Sequence, residues 1–156
     1  MPHELKLKAG DLAPAFTAQT DGGRTVSLAD FTGRPVILYF YPRDDTPGCT
    51  KEACAFRDAF ADFTRKGAAV LGVSADSVKA HDKFIKKFNL PFPLLADEDK
   101  LIVEAYGVWG EKSFLGRRYQ GIHRVTFLIG GDSRIQRIWP KVKPVEHAAE
   151  VLAALG

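Results

Sequence analysis

Cysteine is scarce in this chain: 156 residues carry two, at positions 49 and 54. A protein of this length buries about 70% of the surface its unfolded form exposes, so its core needs neither a disulfide nor a structural metal, and both thiols are free for chemistry. Long apolar runs are also missing. The longest, residues 36–41, falls far short of the ~20 residues that cross a bilayer, which excludes a membrane span. The opening MPHELKLKAG does not read as a secretory signal, because charges interrupt the stretch where an apolar segment would lie. A reducing, cytoplasmic compartment is therefore expected. No repeat, low-complexity tract or flexible linker divides the chain, so residues 1–156 are expected to form one domain.

Charge of one sign is not in large excess, since the formal net charge is +3. Residues 112–143 hold eight Lys and Arg against one acid, Asp132. These cations are dispersed among apolar and turn residues with no nucleic-acid motif beside them, so they read as a solvated face or a surface for an acidic partner, not a nucleic-acid site.

What is present gives an order of elements. Residues 16–28 read as two short strands about Asp21-Gly22-Gly23, a glycine pair able to supply the positive φ of a tight hairpin. Residues 36–41, VILYFY, are apolar without alternation, as in a strand covered on both faces. Residues 69–74 repeat the pattern. Between these strands, residues 47–66 place Cys49, Ala53, Phe56, Phe60 and Phe63 at helical spacing, which makes a parallel pair with a right-handed crossover. A second helix spans residues 77–89, with Ser77 as N-cap and Leu90-Pro91 as its stop. A short one follows Asp97 and runs toward Gly107. Residues 124–129 and 134–139 form a hairpin about residues 130–133, and Pro144 opens a last helix. The sum is an α/β fold: a mixed central sheet with helices on both faces and an N-terminal β-hairpin.

The segment PRDDTPGCTKEAC, residues 42–54, joins the carboxyl end of a central strand to the first crossover helix, which is where open α/β sheets build their sites. With Thr46 as N-cap and Pro47 at the first helical position, Cys49 falls in the first turn among amide N–H groups that lack an intrahelical acceptor. The positive end of the helix dipole favours its thiolate. Asp44 and Asp45 would oppose that if they faced the sulfur, and are expected to point to solvent. Each of these residues also has a plainer reading: Cys49 as a core thiol on the Ala53–Phe56 stripe, Thr46 as a cap alone, Pro42 as a strand stop. Their combination instead suits a pocket for an oxygen-containing electrophile.

Cys54 follows five residues on. Residues so spaced on an ideal helix lie roughly 8.6 Å apart at Cα, beyond the about 7 Å that a disulfide tolerates, so bridging them requires the first helical turns to unwind. The pair therefore reads as a reversible switch, not a staple. The four histidines share no metal-ligand spacing with the cysteines, and no metal site is expected.

PRDDTPGC resembles the Pro-x-x-x-Thr-x-x-Cys motif of the peroxiredoxins, and Cys54 resembles the resolving cysteine of their bacterioferritin comigratory protein or PrxQ subfamily. GRPVILYFYP, GIHRVTFLI and IWPKVKPVEHAAEVL carry the likeness over nearly the whole chain. The resemblance implies a thioredoxin-like fold, a peroxidatic Cys49, a resolving Cys54, and Pro42, Thr46 and Arg124 completing the site. Glu52 resembles the acid that orients the arginine, although a first-turn Glu also stabilises a helix by itself. Read without the likeness, Arg124 is either a solvated strand edge or the permanent cation that peroxide cleavage demands. The implied activity is a thiol peroxidase acting on hydrogen peroxide and alkyl hydroperoxides, recycled by thioredoxin or a related dithiol, without metal, haem or flavin, and monomeric. A thiol–disulfide oxidoreductase is the competing enzyme, and a non-enzymatic redox sensor or holdase the competing binding module.

Overall fold

The computed structural model describes residues 3–155. Its elements, in chain order, are β1 (Thr17–Thr20), β2 (Thr25–Ser27), β3 (Val36–Phe40), α1 (Pro47–Asp58), α2 (Phe60–Arg65), β4 (Ala69–Ser74), α3 (Val78–Phe88), β5 (Leu94–Ala96), α4 (Leu101–Ala105), β6 (Trp109–Phe114), β7 (Arg117–Ile122), β8 (Val125–Ile129), β9 (Ile135–Trp139) and α5 (His147–Ala154). Seven strands form one sheet in the order β2-β1-β5-β4-β3-β8-β9, and β6 and β7 form a separate pair. β3, β4 and β5 run parallel, whereas β8 and β9 are antiparallel additions on one side and β1 and β2 on the other.

The unbroken apolar run of β3 has the cause expected of it. Val36, Leu38 and Phe40 feed one core, and Ile37, Tyr39 and Tyr41 feed another on the opposite face. α1, α2, α3 and α5 cover the second face, while α4, the N-terminal segment and the β6 approach cover the first. Gly72 lies opposite Tyr39 across the β3–β4 pair, and a methyl group there would come within 2.9 Å of the tyrosine ring, so the missing side chain makes room for a buried aromatic.

Three expected boundaries move. The helix over residues 47–66 breaks at Ala59 (φ −94°, ψ 0°), with no Gly or Pro to cause it. The break lets Phe63 turn onto Phe56, with ring centroids 5.8 Å apart. The last helix begins at His147, not Pro144, because the N–H groups of Glu146 and His147 both turn back to the Lys143 carbonyl. The turn of the N-terminal hairpin is a short 3-10 segment, Asp21–Gly23, in which Gly22 and Gly23 do take positive φ. Other signals act as read. Ser77 Oγ accepts the Ala80 N–H at 3.1 Å to cap α3, and the Asp97 carboxylate accepts the N–H groups of Ile102 and Val103 at the start of α4.

The β6–β7 hairpin was not expected. Its turn is Leu115-Gly116, both at positive φ (51° and 79°), and leucine is not a residue that announces a turn.

Candidate functional site

The carboxyl end of β3 runs through residues 41–46 into α1, and the first turn of that helix faces the start of β8. Thr46 has the extended backbone of an N-cap (φ −94°, ψ 156°) and Pro47 occupies the first turn, where its missing N–H costs no hydrogen bond. The Thr46 hydroxyl, however, does not cap the helix. It donates to the Arg43 carbonyl at 3.0 Å, so the side chain braces the loop ahead of α1 instead of the helix amides.

Cys49 sits in the first turn, buried, on the same side as Ala53 and Phe56. Its sulfur is nevertheless not an inert core atom, because Arg124 Nη2 donates to Cys49 Sγ at 3.3 Å. The same guanidinium donates through Nη1 to Glu52 Oε1 at 2.7 Å. Glu52 is completely buried, one turn beyond Cys49 on the inner face of α1. Burial pushes its carboxyl from 4.5 up to about 7, and Arg124 pulls against that rise through its charge and its hydrogen bond. Its second oxygen, Oε2, is buried without a protein partner. Arg124 is itself disfavoured by burial, but Glu52 and Cys49 outweigh this and fix it as a cation.

Gly48 allows this approach. A Cβ at position 48 would lie 3.2 Å from Arg124 Nη2, tighter than ordinary contact, so the absence of a side chain leaves the space that the guanidinium occupies. Beneath the site lies Tyr39, whose hydroxyl has no protein partner and whose ionisation is pushed far up by burial, with the charges of Glu52 and Cys49 adding to the effect. On the outer side, Lys112 Nζ donates to the Ile122 carbonyl at 2.9 Å; burial and then Arg124 depress its pKa.

The structure thus brings Cys49, Glu52 and Arg124 into direct contact. Pro42 is half-buried at the end of β3, Thr46 braces the loop, and Cys54 stands half-buried farther along the same helix. Both cysteines are free thiols and α1 is continuous through them. A second expectation fails, beside the capping role of the Thr46 hydroxyl. Asp44 does not point to solvent: its carboxylate is bound by His81 Nδ1 at 2.6 Å and by the Tyr41 hydroxyl at 2.6 Å. Asp45 is the one that turns outward, to Lys87 Nζ at 2.8 Å. His81 was legible in sequence only as one residue on the inner face of an amphipathic helix, and nothing there tied it to Asp44. His123 points away from the sulfur as alternation requires, stacked on His3 at 4.1 Å. No helix among the described residues is long and apolar enough to cross a membrane.

Comparison with known proteins places this geometry. Residues 9–138 match the family model described as the AhpC/TSA family. The chain is 52% identical over 151 residues to a putative peroxiredoxin bcp of Coxiella burnetii, covering 97% of this chain and 100% of that one. It is 46% identical over 151 residues to peroxiredoxin Bcp of Bacillus subtilis, covering 97% and 96%. Among solved structures it resembles a cysteine-to-serine mutant of PrxQ from Xylella fastidiosa (TM-score 0.90, 39% identity, covering 96% and 95%). It also resembles the bacterioferritin comigratory protein of Xanthomonas campestris, whose structures concern alkyl peroxide reduction (TM-score 0.87, 38% identity, covering 97% of each chain). The α/β architecture is accordingly the thioredoxin-like fold of these proteins. A first-turn cysteine contacted by a half-buried arginine, itself paired with a fully buried glutamate, thus lies in a chain that belongs to the AhpC/TSA family, among the Bcp or PrxQ peroxiredoxins, which are thiol-dependent peroxidases.

Proposed function

We propose that residues 1–156 act as one domain in which Cys49 is the peroxidatic nucleophile and Cys54 resolves it. The observation that carries this reading is the single guanidinium of Arg124 touching both the Cys49 sulfur and a fully buried Glu52. A thiolate attacking the O–O bond of a hydroperoxide puts negative charge on the departing oxygen. Arg124, already against the sulfur, is positioned to stabilise the thiolate before attack and the leaving oxygen during it. Sulfur takes one oxygen to become sulfenic acid, and the other leaves as water or alcohol after taking up a proton. Glu52 holds the guanidinium from behind. Thr46 and Pro42 shape the entrance, Thr46 by bracing the loop through the Arg43 carbonyl.

The Cys54 thiol then condenses with the sulfenic acid, releasing water and forming an intrachain disulfide. On the continuous α1 the two Cα atoms are roughly 8.6 Å apart by helix geometry, so this step requires the first turns to unwind. Pro47, which donates no hydrogen bond, and Gly48, a poor helix former, make that end easy to open. Two electrons from a dithiol, thioredoxin or a related protein, restore the pair. We take hydrogen peroxide and alkyl hydroperoxides as the substrates, the monomer as the working form, the cytoplasm as the compartment, and no metal or organic cofactor as necessary.

Peroxide consumption coupled to a thioredoxin system tests this directly. Cys49→Ser should abolish turnover, and Cys54→Ser should complete one oxidation and stall as the sulfenic acid. Sustained turnover by Cys49→Ser would remove Cys49 from its role, and wild-type turnover by Cys54→Ser would remove Cys54 from the resolving step.

A further inference from the structure

The loop that delivers Cys49 is held from the opposite side by a buried cluster centred on His81. This residue lies on α3 with its side chain fully buried. Its Nε2 lies 2.9 Å from the Leu95 carbonyl, which can only accept, so Nε2 carries a proton. Its Nδ1 lies 2.6 Å from Asp44 Oδ2. A second proton must sit between those two atoms, since a bare imidazole nitrogen facing a carboxylate at that distance is repulsive. Whether that proton is drawn on nitrogen or oxygen, its removal leaves two lone pairs opposed in a buried site.

Asp44 is otherwise fully engaged. Its Oδ1 accepts from the Tyr41 hydroxyl at 2.6 Å, and its backbone N–H donates to Asp76 Oδ2 at 2.8 Å. Asp76 is fixed in turn by the Ser74 hydroxyl at 2.6 Å. Asp44, Asp76 and His81 come within 4.8 Å of one another, and the hydrogen bonds of Asp44 to His81 and to Asp76 explain the proximity. Asp44 is the third residue of the Pro42–Thr46 motif segment, so β4 and α3 grip the loop midway between the proline and the threonine.

We propose that His81 is a positioning residue for the peroxide reaction: the proton it shares with Asp44 locks residues 42–46, and through them the start of α1, in the arrangement that holds Cys49 against Arg124. This rests on Cys49 being the attacking thiol. The charged groups acting on His81 are Asp44 and Asp76, with Tyr41 on the same carboxylate. Burial works against its cation, but Asp44, the Leu95 carbonyl and Asp76 together outweigh burial and hold the imidazole above its ordinary 6.5. A group raised in the folded state contributes its stabilisation in full below its unfolded value and loses it as pH rises through the folded one. The lock is therefore closed on the acid side and releases toward alkaline pH.

The test uses the pre-reduced full chain in a Cys54→Ser background, where the sulfenic acid persists and wild type means His81 retained, with hydrogen peroxide as the probe and a sulfenic-acid trapping reagent read by mass as a function of pH. His81→Gln keeps an amide donor for Asp44 that does not titrate; His81→Leu keeps none. The wild-type oxidation rate should fall on the alkaline side, the Gln variant should stay within about threefold of wild type at neutral pH without that fall, and the Leu variant should be slower on the order of tenfold or more. Amide exchange at residues 43–48 should quicken in the Leu variant and, with rising pH, in the wild type beyond intrinsic base catalysis. An identical alkaline limb in wild type and Gln, or wild-type oxidation by Leu, overturns the proposal. If Cys49 is not trapped at all in this background with His81 retained, the assignment of the nucleophile fails, and the exchange measurement alone then decides whether His81 locks the loop. Should Leu not fold, the pH profile of Gln against wild type carries the decision.

Discussion

Two buried carboxylates flank the segment that carries Cys49, and they are treated in opposite ways. Asp44, ahead of the helix, has both oxygens engaged, by Tyr41 and His81. Glu52, inside the helix, accepts from Arg124 with one oxygen and has no protein partner for the other. The first arrangement fixes geometry: every donor meets an acceptor and the loop has one position. The second leaves an acid poised, because burial and the arginine pull its carboxyl in opposite directions and leave it near neutrality. A fully paired group resists change, whereas a partly paired one responds to it. The loop side is built to hold the helix start still, and the helix side to set the charge around the sulfur.

Arg124→Gln breaks the second arrangement with the largest expected effect. Losing one well-placed transition-state donor costs on the order of 10²-fold in rate, about 3 kcal/mol. Stability should fall much less, because Glu52, already raised to about 7, can take a proton instead of remaining a stranded anion. Stopped-flow oxidation beside thermal melting separates the two effects. A variant oxidised at the wild-type rate would return Arg124 to the role of an ordinary strand-edge cation.

Glu52→Gln sharpens the comparison through pH. The native state binds the Glu52 proton more tightly than the unfolded chain, so between the ordinary 4.5 and about 7 native Glu52 holds the extra proton and stability drains away as pH rises. The loss is complete above that window and amounts to roughly 3 kcal/mol at most, from the one pKa unit per 1.4 kcal/mol relation. Glutamine lacks the titration and still offers an oxygen to Arg124. Denaturant unfolding should therefore show the difference between variant and wild type moving in favour of the variant across this window and staying level above it. A difference that is flat with pH would mean that Glu52 does not carry a raised pKa.

What the sequence revealed and what it hid divide along the same line. The β3 run, Pro47 at the helix start and Cys49 in its first turn are written in contiguous residues, and local preference is enough to place them. Arg124 was placed as a candidate because it opens a strand and because the motif resembles a family. The fate of Asp44 was not legible, since its partner His81 is 37 residues away and only the packing of α3 on β5 brings them together. The β6–β7 hairpin was hidden by an unusual turn, Leu115-Gly116. The hydroxyl of Thr46 was assigned to the helix amides by the usual rule of capping, but the carbonyl of Arg43 is nearer to hand in the bent loop.

The smallest predicted effect concerns the one residue whose contribution is empty space. Gly48 does not take positive φ, so alanine fits the backbone, and helix propensity alone favours alanine by up to about 1 kcal/mol in a helix interior and by less in a first turn. Its methyl, however, would stand 3.2 Å from Arg124 Nη2, and the guanidinium must give way by a few tenths of an ångström. Its contact with Cys49 Sγ, 3.3 Å long, is the one that yields, because its bond to Glu52 is shorter and charge-assisted. Gly48→Ala should thus melt at or slightly above the wild-type temperature while Cys49 oxidises several-fold more slowly, and disulfide formation with Cys54 should be no faster than in the wild type, since alanine resists the unwinding that glycine eases. Equal oxidation rates would show that the gap is not needed to bring Arg124 to the sulfur, and a large loss of stability would show that the arginine cannot move at all.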